Sequence, residues 1–285
     1  MAKKQNIIIV GAGLFGCIAA AWARKAGHNV TVISESRPFE ASKASGCVLA
    51  PSWLSALSKQ ELQTAMQVLE ELYPVHDITF NEGGLLPFKA KRVHPDDVLF
   101  APDIEAKVLS VGDGVVKYQE PHSAGTQRTG TLRGTVLVAA GIWCQELISD
   151  MPAIKGLYGA SLRVYGLKTQ PKLKVYAPYK QAVMFNIDPK TAWFGDGSAL
   201  IESTWRKERE DRIQRTTARM VDMSGTTGQG FSRKAVVTEG ARPQVDGHKN
   251  GYLRQVSPKL WVSTGGAKNG TALAALQAFR FVEEL

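Results

Sequence analysis

NIIIVGAGLFGCIAAAWARKAGHNVTVISE, residues 6–35, changes hydrophobic period twice. Ile7 to Val10 is a short apolar run, as in a strand buried on both faces. Gly11-x-Gly13-x-x-Gly16 follows as a turn. Residues 14–26 then read as a helix that Gly27 stops, and Val30 to Ile33 as a second strand. The result is a βαβ unit with three placed glycines. The first permits the tight turn, the second lets backbone approach a pyrophosphate, and the third packs helix on strand. Glu35 ends the second strand, where an acid holds an adenosine ribose hydroxyl. Gly11, Gly13, Leu14, Phe15, Gly16 and Glu35 are therefore expected to bind a dinucleotide, with its phosphates at the helix N-terminus. NAD and FAD satisfy this pattern equally.

Outward from that unit the chain is ordinary. Its 285 residues suffice for one large domain or two modest ones. Cys17, Cys47 and Cys144 stand singly among apolar neighbours. That excludes a disulfide framework and suits a reducing cytoplasm. No metal-ligand spacing is present, so no metal is expected. MAKKQN followed by an apolar stretch imitates a secretory signal, but the turn-spaced glycines and the second strand favour a folded start with no membrane span. The net charge is +9. Lys155, Arg163, Lys168, Lys172, Lys174, Lys180 and Lys190 share one segment with a single acid, Asp188. Such a run is either a solvated face or a surface for a polyanion.

Three further stretches carry small residues where a flat cofactor needs backbone close by. EASKASGCVLAP (40–51) holds Ser42, Ser45 and Gly46. GTVLVAAGIWCQEL (134–147) is a buried strand ending at Ala140, Gly141 and Trp143. EGARPQVDG and VSTGGAKNGTALAALQAF close the chain, the second with a glycine turn opening a helix. In this order they resemble the FAD-dependent D-amino-acid oxidase and glycine oxidase superfamily. The resemblance covers roughly 5–55, 134–165 and 239–282.

That resemblance implies non-covalently bound FAD. Gly265, Gly266, Lys268, Asn269, Gly270 and Thr271 would hold the pyrimidine side of the isoalloxazine, where reduced flavin is electron-rich and a helix dipole stabilises it. It makes Arg242 a fork for a substrate carboxylate, a job for a planar guanidinium. Lys268 would hold the same carboxylate, polarise the flavin, or face solvent. Asn186 falls nearest to the position where glycine oxidases place a pocket tyrosine, and its difference argues against free glycine as substrate.

The expected fold is α/β. A discontinuous Rossmann-like FAD domain of the glutathione-reductase type (1–55, 100–150, 236–285) carries a smaller mixed-sheet α+β substrate domain (56–99, 151–235), with a helix over 202–223. Three functions compete. The chain oxidises a free small amino acid (glycine, sarcosine or a D-amino acid). Or it oxidises a glycyl group attached to a thymine of DNA, held by the basic 155–190 segment, releasing glyoxylate and leaving an aminomethyl base. Or it is a non-catalytic flavin-binding partner subunit. Shortness and basic charge resemble the phage FAD lyases of thymidine hypermodification, which would place the chain in a host cytoplasm, and the DNA-linked substrate is preferred. Hydride transfer from Cα to flavin N5 and imine hydrolysis are the implied chemistry.

Overall fold

The computed structural model describes residues 3–50, 54, 57–80, 88–121, 128–166, 183–188, 190–195, 199–224 and 234–285; for Asn186 and Lys268 it describes the backbone alone. The chain opens with β1 (Asn6–Val10), α1 (Leu14–Lys25) and β2 (Asn29–Ser34), the unit expected from its glycines. β3 (Val48–Leu49), α2 (Lys59–Leu72), β4 (Val75–Phe80), β5 (Phe88–Val93), α3 (Pro95–Val98) and β6 (Ile104–Glu105) follow. Then come the meander β7 (Lys107–Gly112), β8 (Val115–Glu120) and β9 (Arg128–Arg133), strand β10 (Thr135–Val138) and the short α4 (Cys144–Leu147). β11 (Ile154–Tyr165), β12 (Val183–Asp188), β13 (Thr191–Gly195), α5 (Glu202–Ser224) and β14 (Lys234–Val245) lead to the final β15 (Tyr252–Ser257), β16 (Leu260–Thr264) and α6 (Gly270–Glu283).

The central sheet has the order β15-β16-β10-β1-β2-β6. Its pairings are parallel except β15 on β16. Period-two alternation sends Ile7 and Ile9 to one side and Ile8 and Val10 to the other, and all four are buried. The first side carries α1 and α6, through Ile18, Ala20, Ala275 and Phe281. The second carries the meander, through Val108 and Val116. Covering both faces is what allows a parallel sheet of apolar strands.

A second sheet, β12-β13-β11-β14, is antiparallel at every described pairing, where a mixed sheet is expected from sequence. Tyr158, Ala160 and Ala241 on one of its faces pack on Trp205 of α5. The opposite face, with Ser161, Trp193 and Arg242, turns toward the first domain.

The sequence reading groups 56–99 with this second sheet, and the structure divides that segment. Ala65, Val68 and Leu69 of α2 enter the core formed by α1 and α6. Ser58 and Glu61 close a capping box at the start of α2, and Glu61 also accepts from Arg280 of α6 at 2.7 Å. By packing, α2 belongs to the nucleotide-binding layer. Among the described residues no helix is long and apolar enough to cross a membrane.

Candidate functional site

A cleft of about 550 Å³ opens between the two sheets, within the size range of ligand pockets. It runs from Glu35, past the N-terminus of α1, to the turn before α6. Gly11 adopts φ +112°, and its N–H donates to the Ile33 carbonyl at 2.8 Å. A Cβ there would stand 2.5 Å from the Ala139 oxygen, so only glycine passes between β2 and β10. Gly16 stands behind the turn: its Cβ would lie 1.8 Å from the Gly11 oxygen. It shapes the loop and does not line the cleft, whereas Gly11, Gly13, Leu14 and Phe15 do.

The loop after β2 closes over this turn. Ser42 Oγ accepts the Leu14 N–H at 2.8 Å, satisfying a donor that the helix leaves free. A Cβ on Gly13 would come within 2.9 Å of that oxygen. Ser45 and Gly46 also line the cleft.

At the far end, Gly265 (φ +85°) and Gly266 turn the chain from β16 into a 3₁₀ turn and α6. Gly266 is where the two glycine turns meet. Its Cβ would lie 2.7 Å from Gly270 Cα and 2.8 Å from the Phe15 ring. Gly266, Gly270 and Thr271 line the cleft, while Gly265 and Asn269 form the turn behind it. Thr264 donates to the Gly141 carbonyl at 3.0 Å, which ties this turn to Ala140, Gly141 and Trp143 on the same wall.

Glu35 lies at the cleft's end and accepts from Arg37 Nε at 2.7 Å. Arg37 also bridges to Glu146 at 2.7 Å and covers the Trp143 ring at 5.4 Å. Arg37 is a residue the sequence reading missed. Its signal is its place two positions after Glu35.

Arg242 lies on the cleft wall. Lys268 lies in the turn, and its side chain is outside the described residues. Asn186 does not join them by register. It pairs with Ala192, which pairs with Val164. Those positions belong to the opposite sheet face from Trp193 and Ser161, because alternate strand residues point to opposite faces. Of the basic run, Lys155 is bound by Asp246 at 2.9 Å and Arg163 by Asp96 at 3.1 Å. Lys168, Lys172, Lys174 and Lys180 lie outside the described residues.

The cleft fits FAD from end to end: an acid for ribose, a helix N-terminus for pyrophosphate, and a second glycine turn for a flat ring. Residues 6–110 match the model of the FAD-dependent oxidoreductase family, DAO. Over that segment the chain is similar to this family. The chain shares its fold with glycine oxidase from Geobacillus kaustophilus, at TM-score 0.66 and 15% identity, covering 99% of this chain and 95% of that one. Iminodiacetate oxidase from Chelativorans sp. BNC1 aligns at TM-score 0.61 and 14% identity over 96% and 93%. L-proline dehydrogenase from P. horikoshii aligns at 0.61 and 11% over 99% and 93%. By sequence, the chain matches no curated protein.

The described cleft residues offer FAD no reactive side chain for a covalent link. No histidine is among the described residues lining the cleft. The one thiol there, Cys47, is 1% exposed, and burial pushes its pKa up, which keeps it from acting as a nucleophile. Cys144 is buried off the cleft, its thiol pushed up to about 12 by burial. Among the described residues no group of acids, histidines and cysteines could hold a metal ion.

Proposed function

We propose that the chain is an FAD-dependent oxidoreductase and that it oxidises the Cα–N bond of a glycyl group or N-substituted glycine. Arg242 carries this reading: it stands on the cleft wall formed by the second sheet, facing the layer that receives the cofactor. FAD, when bound, supplies the hydride acceptor, and an external electron acceptor later restores it. The chain's own work is positional. Arg242 forks onto the substrate carboxylate and so fixes Cα relative to the ring. Its positive charge, with that of Lys268, lowers the pKa of the nearby amine and favours the neutral form that can be oxidised. The substrate loses a hydride from Cα and a proton from nitrogen to become an imine. Water then splits it into glyoxylate and the amine of the former N-substituent. No acid–base dyad is required. The name of the iminodiacetate oxidase supports the substrate class, because iminodiacetate is an N-substituted glycine.

The finer form of the proposal makes the N-substituent a thymine methyl in DNA, so that an aminomethyl base remains. The charge of +9 supports it. With Lys155 and Arg163 occupied by acids, Lys168, Lys172, Lys174 and Lys180 take the phosphates, and the base swings out to enter the cleft. The test is anaerobic bleaching of the bound flavin by glycine, sarcosine, N-substituted glycines and glycyl-modified DNA. DNA affinity is measured against salt alongside. Removing two of the four lysines should flatten the salt slope by about two units. No DNA affinity at low salt returns the substrate to a free amine. A flavin that no amine bleaches leaves a non-catalytic partner subunit.

A further inference from the structure

Ser161 is 2% exposed, and its Oγ has no hydrogen-bond partner among the described residues. A buried hydroxyl in that state costs stability, and this one belongs to a residue of the cleft wall. Ser161 pairs directly with Gly195. The ring of Trp193 lies over that glycine: a Cβ on Gly195 would stand 2.3 Å from Cη2 and about 3 Å from its two ring neighbours. Ser161, Gly195 and Trp193 therefore share one patch of the cleft face. It combines an aromatic ring, a floor without a side chain, and an unanswered hydroxyl.

Position along the strand sets this patch apart from the carboxylate site. Arg242 pairs with Leu157, four residues from Ser161 on β11. At the rise of a strand that is about 13 Å between backbone positions. Free glycine, with carboxylate and amine two bonds apart, cannot engage both ends. An N-substituted glycine can.

We propose that Trp193 and Ser161 select the N-substituent, and that it is a flat heteroaromatic with a polar edge. The indole rotates off Gly195 and stacks on the ring, and the uncovered Ser161 Oγ hydrogen-bonds to the ring's edge. This assignment rests on the amine-oxidation reading given above for what happens at Cα. It does not use the basic segment and holds for a free heteroaromatic amine as for a base on DNA.

The test uses the FAD-loaded protein with three glycines substituted on nitrogen: methyl (sarcosine), benzyl, and thymin-5-ylmethyl. Binding is read from perturbation of the oxidised flavin spectrum, and oxidation separately from anaerobic flavin reduction. The wild type should bind thyminylmethyl tighter than benzyl, and benzyl tighter than methyl. Trp193→Ala should weaken both flat ligands by about 5- to 150-fold, the range of one lost base stack, and Trp193→Phe should restore most of it. Ser161→Ala should cost about tenfold for the thyminylmethyl ligand and little for benzyl. It should not lower the melting temperature, since it removes an unsatisfied group. If the flat ligands bind no tighter than sarcosine, or Ser161→Ala weakens both flat ligands alike, the assignment is overturned. Tight selective binding without flavin reduction upholds the assignment and overturns the oxidase reading.

Discussion

Gly266→Ala tests whether the two glycine turns form one cradle. The added methyl meets Gly270 Cα at 2.7 Å and the Phe15 ring at 2.8 Å. Phe15 can tilt, but Gly270 is backbone at the first turn of α6 and cannot yield without moving the helix. Overpacking of this kind costs about 1–3 kcal/mol. With α6 embedded in the core through Ala272, Ala275 and Leu276, the upper half of that range applies. For a chain of this size each kcal/mol is about 2–4 °C of melting temperature, so a loss of roughly 4–12 °C is expected. The same displacement separates Gly266 and Gly270 from the N-terminal loop, and FAD affinity should fall by about tenfold for each 1.4 kcal/mol. The control is Gly112→Ala, where a Cβ meets nothing within 4 Å. Melting curves with and without FAD, and titration of apoprotein by flavin fluorescence, give both quantities. A Gly266→Ala protein that melts and binds FAD like the wild type refutes the joined cradle.

Ser42→Ala removes the acceptor of the Leu14 N–H and should cost the apoprotein about 0.5–2 kcal/mol, a loss that urea unfolding measures. Arg242→Lys keeps the charge and loses the fork, so KM for a carboxylate-bearing amine should rise while a decarboxylated analogue is unaffected; equal effects on both would remove the clamp. Glu61 is held below the ordinary carboxylate range by the Ser58 backbone N–H and then by Arg280. Its contribution is therefore complete above the unfolded carboxylate pKa and is lost as pH falls through the lower folded value. Glu61→Gln should destabilise at neutral pH by about 1 kcal/mol, and the gap to wild type should close in acid, as melting curves across pH would show.

What the sequence disclosed depends on which force sets each feature. β1, α1 and β2 are legible because local rules fix them: buried strands alternate, and a turn at φ +112° demands glycine. The C-terminal turn is legible for the same reason. Its division of labour is not, because only packing reveals that Gly265 supports while Gly266 contacts. α2 shows from its pattern that one face is buried, but no residue in it names the partner, and the core of α1 and α6 claims it. Asn186 illustrates the limit for strands. A bulge between Asn186 and Asp188 sets the register of β12, and a shift of one residue exchanges the two faces. Strand parity brings Ser161, Trp193 and Arg242 onto the cleft face. Sequence alone offers Ser161 as one small residue in a strand of twelve. It becomes a candidate contact only when the pairing places Gly195 opposite and its hydroxyl is left without a partner among the described residues. Substrate selection on this scaffold is thus written in strand register, whereas cofactor binding is written in glycines.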